Sequence, residues 1–243
     1  MKPDAYFICA TPRSGSTLLC DLLSATSMSG RPNSFYRRES IPDYVKYLDV
    51  PPDPEGFDQA YLSAILRHGT AGTGMFGLRQ MWDHKAEMVL ALRRLFPDLP
   101  DDLARFRAAF GDVKYIYLSR TDKVAQAVSR AKAEQSGLWH KYADGSVREQ
   151  FDRFQEPVYN PELIREFLNE AEHDGQQWED WFRHHNIEPL RVTYEDLAAD
   201  PQAVLDRILQ AFDVGPAKAV IKSQKLAGKE NSDWIMRFRS EAT

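Results

Sequence analysis

Residues Tyr6 to Leu23 read YFICATPRSGSTLLCDLL. It opens on an apolar run, Tyr6-Phe7-Ile8-Cys9-Ala10, whose aromatic and branched residues fit a strand buried on both faces. Thr11-Pro12-Arg13-Ser14-Gly15-Ser16-Thr17 follows; Pro12 breaks regular structure, and Gly15 lets backbone approach a ligand closely. Leu18, Leu19, Leu22 and Leu23 then recur at helical spacing. Strand, small-residue turn and helix N-terminus in that order leave the first N–H groups of the helix unpaired, with partial positive charge beside them. Ser14, Ser16 and Thr17 add hydroxyl donors. Arg13 adds a fixed charge with a planar fork of donors. An ordinary connection capped by a serine has the same outline; the arginine inside the turn favours phosphate or sulfate binding.

A phosphate loop of the G-x-x-x-x-G-K-[ST] kind sets its lysine on the outer phosphates and its hydroxyl on magnesium. Here the basic residue precedes the glycine, and no Gly-Lys-Ser/Thr occurs in the turn. A metal-dependent kinase or nucleoside triphosphatase is disfavoured. A nucleotide site without a metal fits better.

The 243 residues suit one domain spanning 1–243, and 43% hydrophobic content supplies a core. The net charge of −5 gives no support to nucleic-acid binding, so any anion site must be built locally. Cys9 and Cys20 are the only cysteines, expected as buried, reduced thiols with no disulfide and no zinc site. Met1-Lys2-Pro3-Asp4 leads directly into the first strand, and no apolar run approaches the roughly 18 residues of a membrane span. A soluble, cytoplasmic protein is expected.

Working outward, Phe57 to His68 is expected as a helix ended by Gly69. Gly74 to Leu78 is a short strand, with Arg79-Gln80-Met81-Trp82 directly after it. Helices follow near Ala86 to Leu95 and Leu103 to Phe110, then a strand over Lys114 to Ser119 and a helix from Lys123 to Gln135. Ser136 to Pro157 is polar and stays unassigned. Asn160-Pro161 and Asp200-Pro201 each read as a cap followed by proline at the first helical position. Between those two helices, Pro189 to Thr193 is a strand. A basic stretch, Lys218 to Lys229, leads to a short helix from Ser232. The alternation argues for an α/β fold, a parallel sheet flanked by helices, whose ligands bind beyond the carboxyl ends of the strands. The Arg13 turn, the Gln80-Met81-Trp82 stretch and Arg120 all sit at such ends.

The chain resembles the Stf-type bacterial carbohydrate sulfotransferases in ATPRSGSTLL, Met81-Trp82, the Arg120 to Ser129 segment, Gln135, Trp139 and Trp234. The resemblance runs over nearly the whole chain. It implies a P-loop-like sulfotransferase fold that uses 3′-phosphoadenosine 5′-phosphosulfate (PAPS) as co-substrate and needs no metal. It implies further that Arg13, Ser14, Gly15, Ser16, Thr17 and Leu18 hold the 5′-phosphosulfate, and that Arg120 and Ser129 hold the 3′-phosphate. Spacing alone favours an exposed arginine and a serine bonded to its own helix, because nine helical residues cover roughly 13 Å. In the family a late basic segment closes over the nucleotide, which points to Lys225 and Lys229; a solvated charge run reads equally well. Trp82, Gln135 and Trp139 match positions near the acceptor pocket, where aromatic walls suit a sugar ring, although tryptophan serves a core as often. The implied acceptor is a carbohydrate or glycolipid hydroxyl, and a homodimer is compatible with the resemblance.

One position departs from the family pattern. Relatives carry a G-x-P-x-E stretch whose glutamate is the proposed base, and the matching stretch here is Gly30-Arg31-Pro32-Asn33-Ser34. Ser34 falls in the acceptor site but has no usable basicity near neutral pH. Glu39 is the candidate replacement if Phe35 to Glu39 turns back toward the site, and His84 is the alternative. A PAPS-binding protein of the same fold with weak or lost transfer is the competing expectation.

Overall fold

Ala5–Ala10 forms strand β1, buried along its whole length. Tyr6, Ile8 and Ala10 enter one apolar layer and Ala5, Phe7 and Cys9 the other, as the two-residue period of a strand requires. The computed structural model describes residues 2–141, 147–150, 155–221 and 229–241. After β1 come α1 (Ser16–Ala25), α2 (Ile41–Tyr47), α3 (Phe57–Thr70), β2 (Phe76–Met81) and α4 (Lys85–Leu95). Then follow α5 (Asp102–Phe110), β3 (Val113–Ser119), α6 (Lys123–Ser136), β4 (Leu138–Lys141) and β5 (Val147–Gln150). The chain continues through α7 (Pro161–His184), β6 (Leu190–Thr193), α8 (Tyr194–Ala199), α9 (Pro201–Ala211) and α10 (Lys229–Glu241).

Strands β2, β1, β3 and β6 lie side by side in that order, all parallel. Helices α3, α4, α5 and α7 pack on one face and α1, α8 and α9 on the other. This is the expected parallel sheet flanked by helices. From β1 the chain crosses to β2 on one side and returns to β3 on the other, so the connections part above the carboxyl end of β1. Ligands of open α/β sheets bind in that crevice. The last carbonyl of β1 is held from below: Trp178 Nε1 donates to the Ala10 oxygen at 3.1 Å, and Trp178 itself is 1% exposed. A buried carbonyl at the mouth of the site is thereby satisfied.

Asn160 and Asp200 cap α7 and α9 as their sequences imply, accepting from the Leu163 and Ala203 amides. Both cysteines are buried thiols. No helix among the described residues is long and apolar enough to cross a membrane. Several boundaries differ from the sequence expectation, among them the end of α3, which runs through Gly69 to Thr70 instead of stopping at that glycine. β2 extends through Arg79, Gln80 and Met81, where polar side chains had the look of a loop. β4 and β5 pair within the unassigned stretch after α6, and α10 begins at Lys229.

Candidate functional site

Segments leaving the carboxyl ends of the four parallel strands meet around a cavity of about 460 Å³. The turn after β1 contributes Arg13, Gly15, Ser16, Thr17 and Leu18. β2 contributes Arg79 and Met81, the residue after β3 is Arg120, and the residue after β6 is Tyr194. Among the described residues, five arginines line the cavity (Arg13, Arg37, Arg79, Arg120, Arg130) against three carboxylates (Glu39, Asp83, Glu134). A chain of net charge −5 thus concentrates positive charge in one place, which suits an anion.

The turn is tightly specified. Gly15 lies at φ 88°, and a Cβ there would stand 2.6 Å from the Tyr194 ring. Glycine is therefore required twice over, for backbone angle and for space. Arg13 has φ 63°, a left-handed conformation that costs a non-glycine residue about 1–3 kcal/mol and persists only where surroundings enforce it. Gln126 of α6 supplies that enforcement, donating from Nε2 to Thr11 Oγ1 at 2.8 Å and to the Pro12 oxygen at 2.6 Å. Ser14 is buried and its hydroxyl donates to the Thr11 oxygen at 2.7 Å, so it braces the turn. No side chain caps α1, and no acidic residue occupies its first turn.

Arg13 ties three expected site residues together. Its Nε donates to Ser129 Oγ at 3.0 Å, and an Nη donates to the Trp139 oxygen at 2.7 Å with the guanidinium 5.9 Å from that ring. Arg120 approaches from the opposite side. An Nη donates to the Arg13 oxygen at 3.4 Å, and its guanidinium lies 4.5 Å above the Tyr194 ring. The distance along α6 is absorbed because Arg13 stands between Arg120 and Ser129.

The Gly30 to Ser34 stretch is placed by Gly30. At φ 71°, a Cβ on Gly30 would come within 2.4 Å of the Gly69 and Met75 oxygens. This close approach lets Asn33 bridge to β2, where its oxygen accepts the Arg79 amide at 3.0 Å. Ser34 then lies beside Arg79. Arg79 Nε donates to Ser34 Oγ at 2.7 Å and an Nη donates to Thr17 Oγ1 at 2.9 Å. Arg79 thus spans from the turn after β1 to Ser34, and among the described residues it makes no ion pair.

Glu39 and His84 both reach the cavity wall. Arg37 donates back to the Ser34 carbonyl, a single 3₁₀ turn follows over Arg38–Ser40, and Glu39 is thereby brought round. Its side chain is 65% exposed and pairs with Arg37 at 3.4 Å. A hydrogen bond from its own amide, opposed by slight burial and aided by His84 and Arg37, holds Glu39 below the usual carboxylate range. His84 is more enclosed, with Nε2 3.4 Å from Asp83 Oδ2. Burial pushes His84 below the ordinary histidine value; Asp83 and Glu39 oppose that push, and Arg37 and Arg79 add to it.

Trp82 and Gln135 do not line this cavity. Trp82 follows Leu78 and Gln80 at two-residue spacing, on the face of β2 that packs on α7. It meets Trp178 edge to face at 5.0 Å, with the Lys85 ammonium 4.7 Å from its ring. Gln135 Oε1 accepts the Val158 amide at 2.8 Å. Lys225 lies outside the described residues. Lys229 opens α10, and its side chain is outside them too. Arg79, Gln126 and Tyr194 join the site although the sequence reading passed over them. Tyr194 was within reach of the rule that ligands bind past strand ends, because it follows β6 directly.

The family model described as Stf0 sulphotransferase matches residues 5–241. The chain is 29% identical to the trehalose 2-sulfotransferase of Mycobacterium tuberculosis (strain ATCC 35801 / TMC 107 / Erdman) over 265 residues, covering 98% of this chain and 95% of that one. It is 28% identical to the trehalose 2-sulfotransferase of Mycolicibacterium smegmatis (strain ATCC 700084 / mc(2)155) over 274 residues, with 99% and 96% covered. A solved sulfotransferase from Alicyclobacillus acidocaldarius superposes with a TM-score of 0.46 at 13% identity, covering 99% of this chain and 92% of that chain.

Proposed function

This chain belongs to the Stf0 sulphotransferase family, and from that premise we propose that it transfers a sulfonyl group from PAPS to a hydroxyl of a carbohydrate, free or within a glycolipid. The observation that carries the donor assignment is the convergence of Arg13, Arg79 and Arg120 from three neighbouring strands on the uncapped start of α1. The donor set fits such a molecule. Arg120 Nε is buried with no partner among the described residues, a cost that a bound anion removes. The acceptor class rests on the two trehalose 2-sulfotransferases that match almost end to end.

PAPS supplies a sulfonyl group bonded to a phosphate leaving group. The α1 amides and Arg13 hold the 5′ anion and offset charge as it shifts to the leaving phosphate. Arg120 and Ser129 take the 3′-phosphate, where a guanidinium is suited to paired contacts. Arg79 faces the transferring group from the Ser34 side. Trp139 offers an apolar ring beside the acceptor. His84 takes the acceptor's proton: held below the usual histidine value, its imidazole is neutral near pH 7 and able to accept. Glu39, held below the usual carboxylate range and paired with Arg37, is the poorer base. A second reading, nucleotide binding with little transfer, is favoured by Ser34, whose hydroxyl accepts from Arg79 at the position where relatives carry a carboxylate.

Two measurements check these assignments. Titration with the product nucleotide, 3′-phosphoadenosine 5′-phosphate, will raise the melting temperature. At 100 times its Kd the ligand adds about 2.7 kcal/mol, roughly 5–10 °C for a chain of this size. Absence of a shift at saturating nucleotide overturns the donor assignment for both readings. For the base, the acid limb of kcat will fall with an apparent pKa below the ordinary histidine value of about 6.5, since protonation removes the accepting imidazole. His84→Asn will lower the rate and abolish that limb. A limb that survives in His84→Asn assigns the proton to another group.

A further inference from the structure

Glu195, the second residue of α8, does not line the cavity. Its carboxylate accepts two backbone amides on another segment, Thr121 at 3.1 Å through Oε2 and Asp122 at 3.3 Å through Oε1. These are the two residues that follow Arg120. The Asp122 carboxylate is committed as well. Its Oδ1 accepts the Ala125 amide at 2.9 Å, capping α6, and pairs with Arg239 of α10 at 2.9 Å. The Glu195 and Asp122 carboxylates beside Arg120 are thus both occupied by other donors. Arg120 forms no ion pair among the described residues. Its guanidinium rests on the Tyr194 ring, one residue before Glu195, and its Nε is buried without a partner.

The start of α8 therefore grips Arg120 at two points. Tyr194 supports the guanidinium, and Glu195 fixes the peptide groups that follow the Cα. We propose that Glu195 is a positioning residue for Arg120: by holding the turn at Thr121 and Asp122 it keeps the guanidinium aimed into the cavity and leaves that charge for an anionic ligand. Without the two N–H bonds, the turn that carries Arg120 is free to relax. The carboxylate is well suited to the task, because a charged acceptor makes stronger bonds to amides than a neutral one. Burial raises its pKa, but bonds from Thr121, Asp122 and its own amide outweigh that and leave it below the usual carboxylate range, so it stays ionised at neutral pH.

The inference rests on Arg120 being the 3′-phosphate contact, and the test separates the two. Calorimetric titration of the parent with 3′-phosphoadenosine 5′-phosphate and with adenosine 5′-phosphate gives a preference ratio for the 3′-phosphate. Glu195→Ala should cut that ratio about tenfold, the loss of one charge-assisted contact, with affinity for adenosine 5′-phosphate little changed. Glu195→Gln, which keeps one acceptor oxygen and disturbs folding least, should show a smaller loss in the same direction. In Arg120→Ala the ratio should already be low, and adding Glu195→Ala should lower it no further, because residues acting through one contact are not additive. A ratio preserved in both Glu195 variants, even with a lower melting temperature, overturns the positioning role and reduces Glu195 to a structural cap. Additive losses in the double variant overturn it too. A parent with no 3′-phosphate preference overturns the Arg120 assignment itself, and the proposal with it.

Discussion

Arg13→Ala will fold and will lose sulfonyl transfer by about 10²–10³ in kcat/KM, the usual cost of removing one preorganised donor from a charge-stabilising site. The fold is spared because Arg13 belongs to neither apolar layer and because alanine keeps the Cβ on a backbone that Gln126 already holds. What disappears is the guanidinium that touches Ser129 Oγ and the Trp139 oxygen while standing at the mouth of α1. Two separate segments lose their common partner, so alignment of donor and acceptor suffers together with charge stabilisation. Arg13→Lys should recover only part of the rate, since a lysine supplies a point charge without the planar fork that reaches two partners at once. Steady-state kinetics at saturating PAPS, with melting temperature as the folding control, decide the matter. Transfer by Arg13→Ala within about threefold of the parent would show that the turn works without its arginine.

The anion turn was legible because its physics is local. A buried strand, a glycine with positive φ and an uncapped helix start are all written within Tyr6 to Leu23, and the caps at Asn160 and Asp200 are equally short-range. The parallel sheet followed from alternating strands and helices. What stayed hidden depends on register and on contacts between distant segments. Arg79 reads in sequence as a residue beyond a strand; inside β2 it pairs with Ile8, and the two-residue period then turns it to the cavity and Trp82 to the other layer. Gln126 and Glu195 act across separations of 115 and 74 residues, and no pattern along the chain signals such bonds. Ser129 shows the limit of spacing as a guide. Helical distance argued against its meeting Arg120, and the structure joins them through a third residue, Arg13, which spacing does not represent.

Arg79→Gln will bind nucleotide nearly as the parent does and will lower kcat by about 10²–10³. Arg79 projects from a strand rather than a loop, so its direction is set by the sheet and costs no reorganisation as charge develops. Its hydrogen-bond partners, Ser34 Oγ and Thr17 Oγ1, are neutral hydroxyls. They orient the guanidinium without cancelling its charge, and no carboxylate among the described residues does so. Were a glutamate at position 34, it would stand within reach of Arg79 Nε and pair with it. With serine there, the positive charge remains available to the transferring group. Loss of stability should be modest, about 1–2 kcal/mol for two hydroxyls left without their donor, or a few degrees in melting temperature. Arg79→Lys should fall between parent and Arg79→Gln, since charge is kept and the bridge from Thr17 to Ser34 is not. The decisive comparison is kcat against the calorimetric affinity for 3′-phosphoadenosine 5′-phosphate. A fall in affinity as large as the fall in kcat would make Arg79 a donor-binding group only, and an unchanged kcat would remove it from the chemistry altogether.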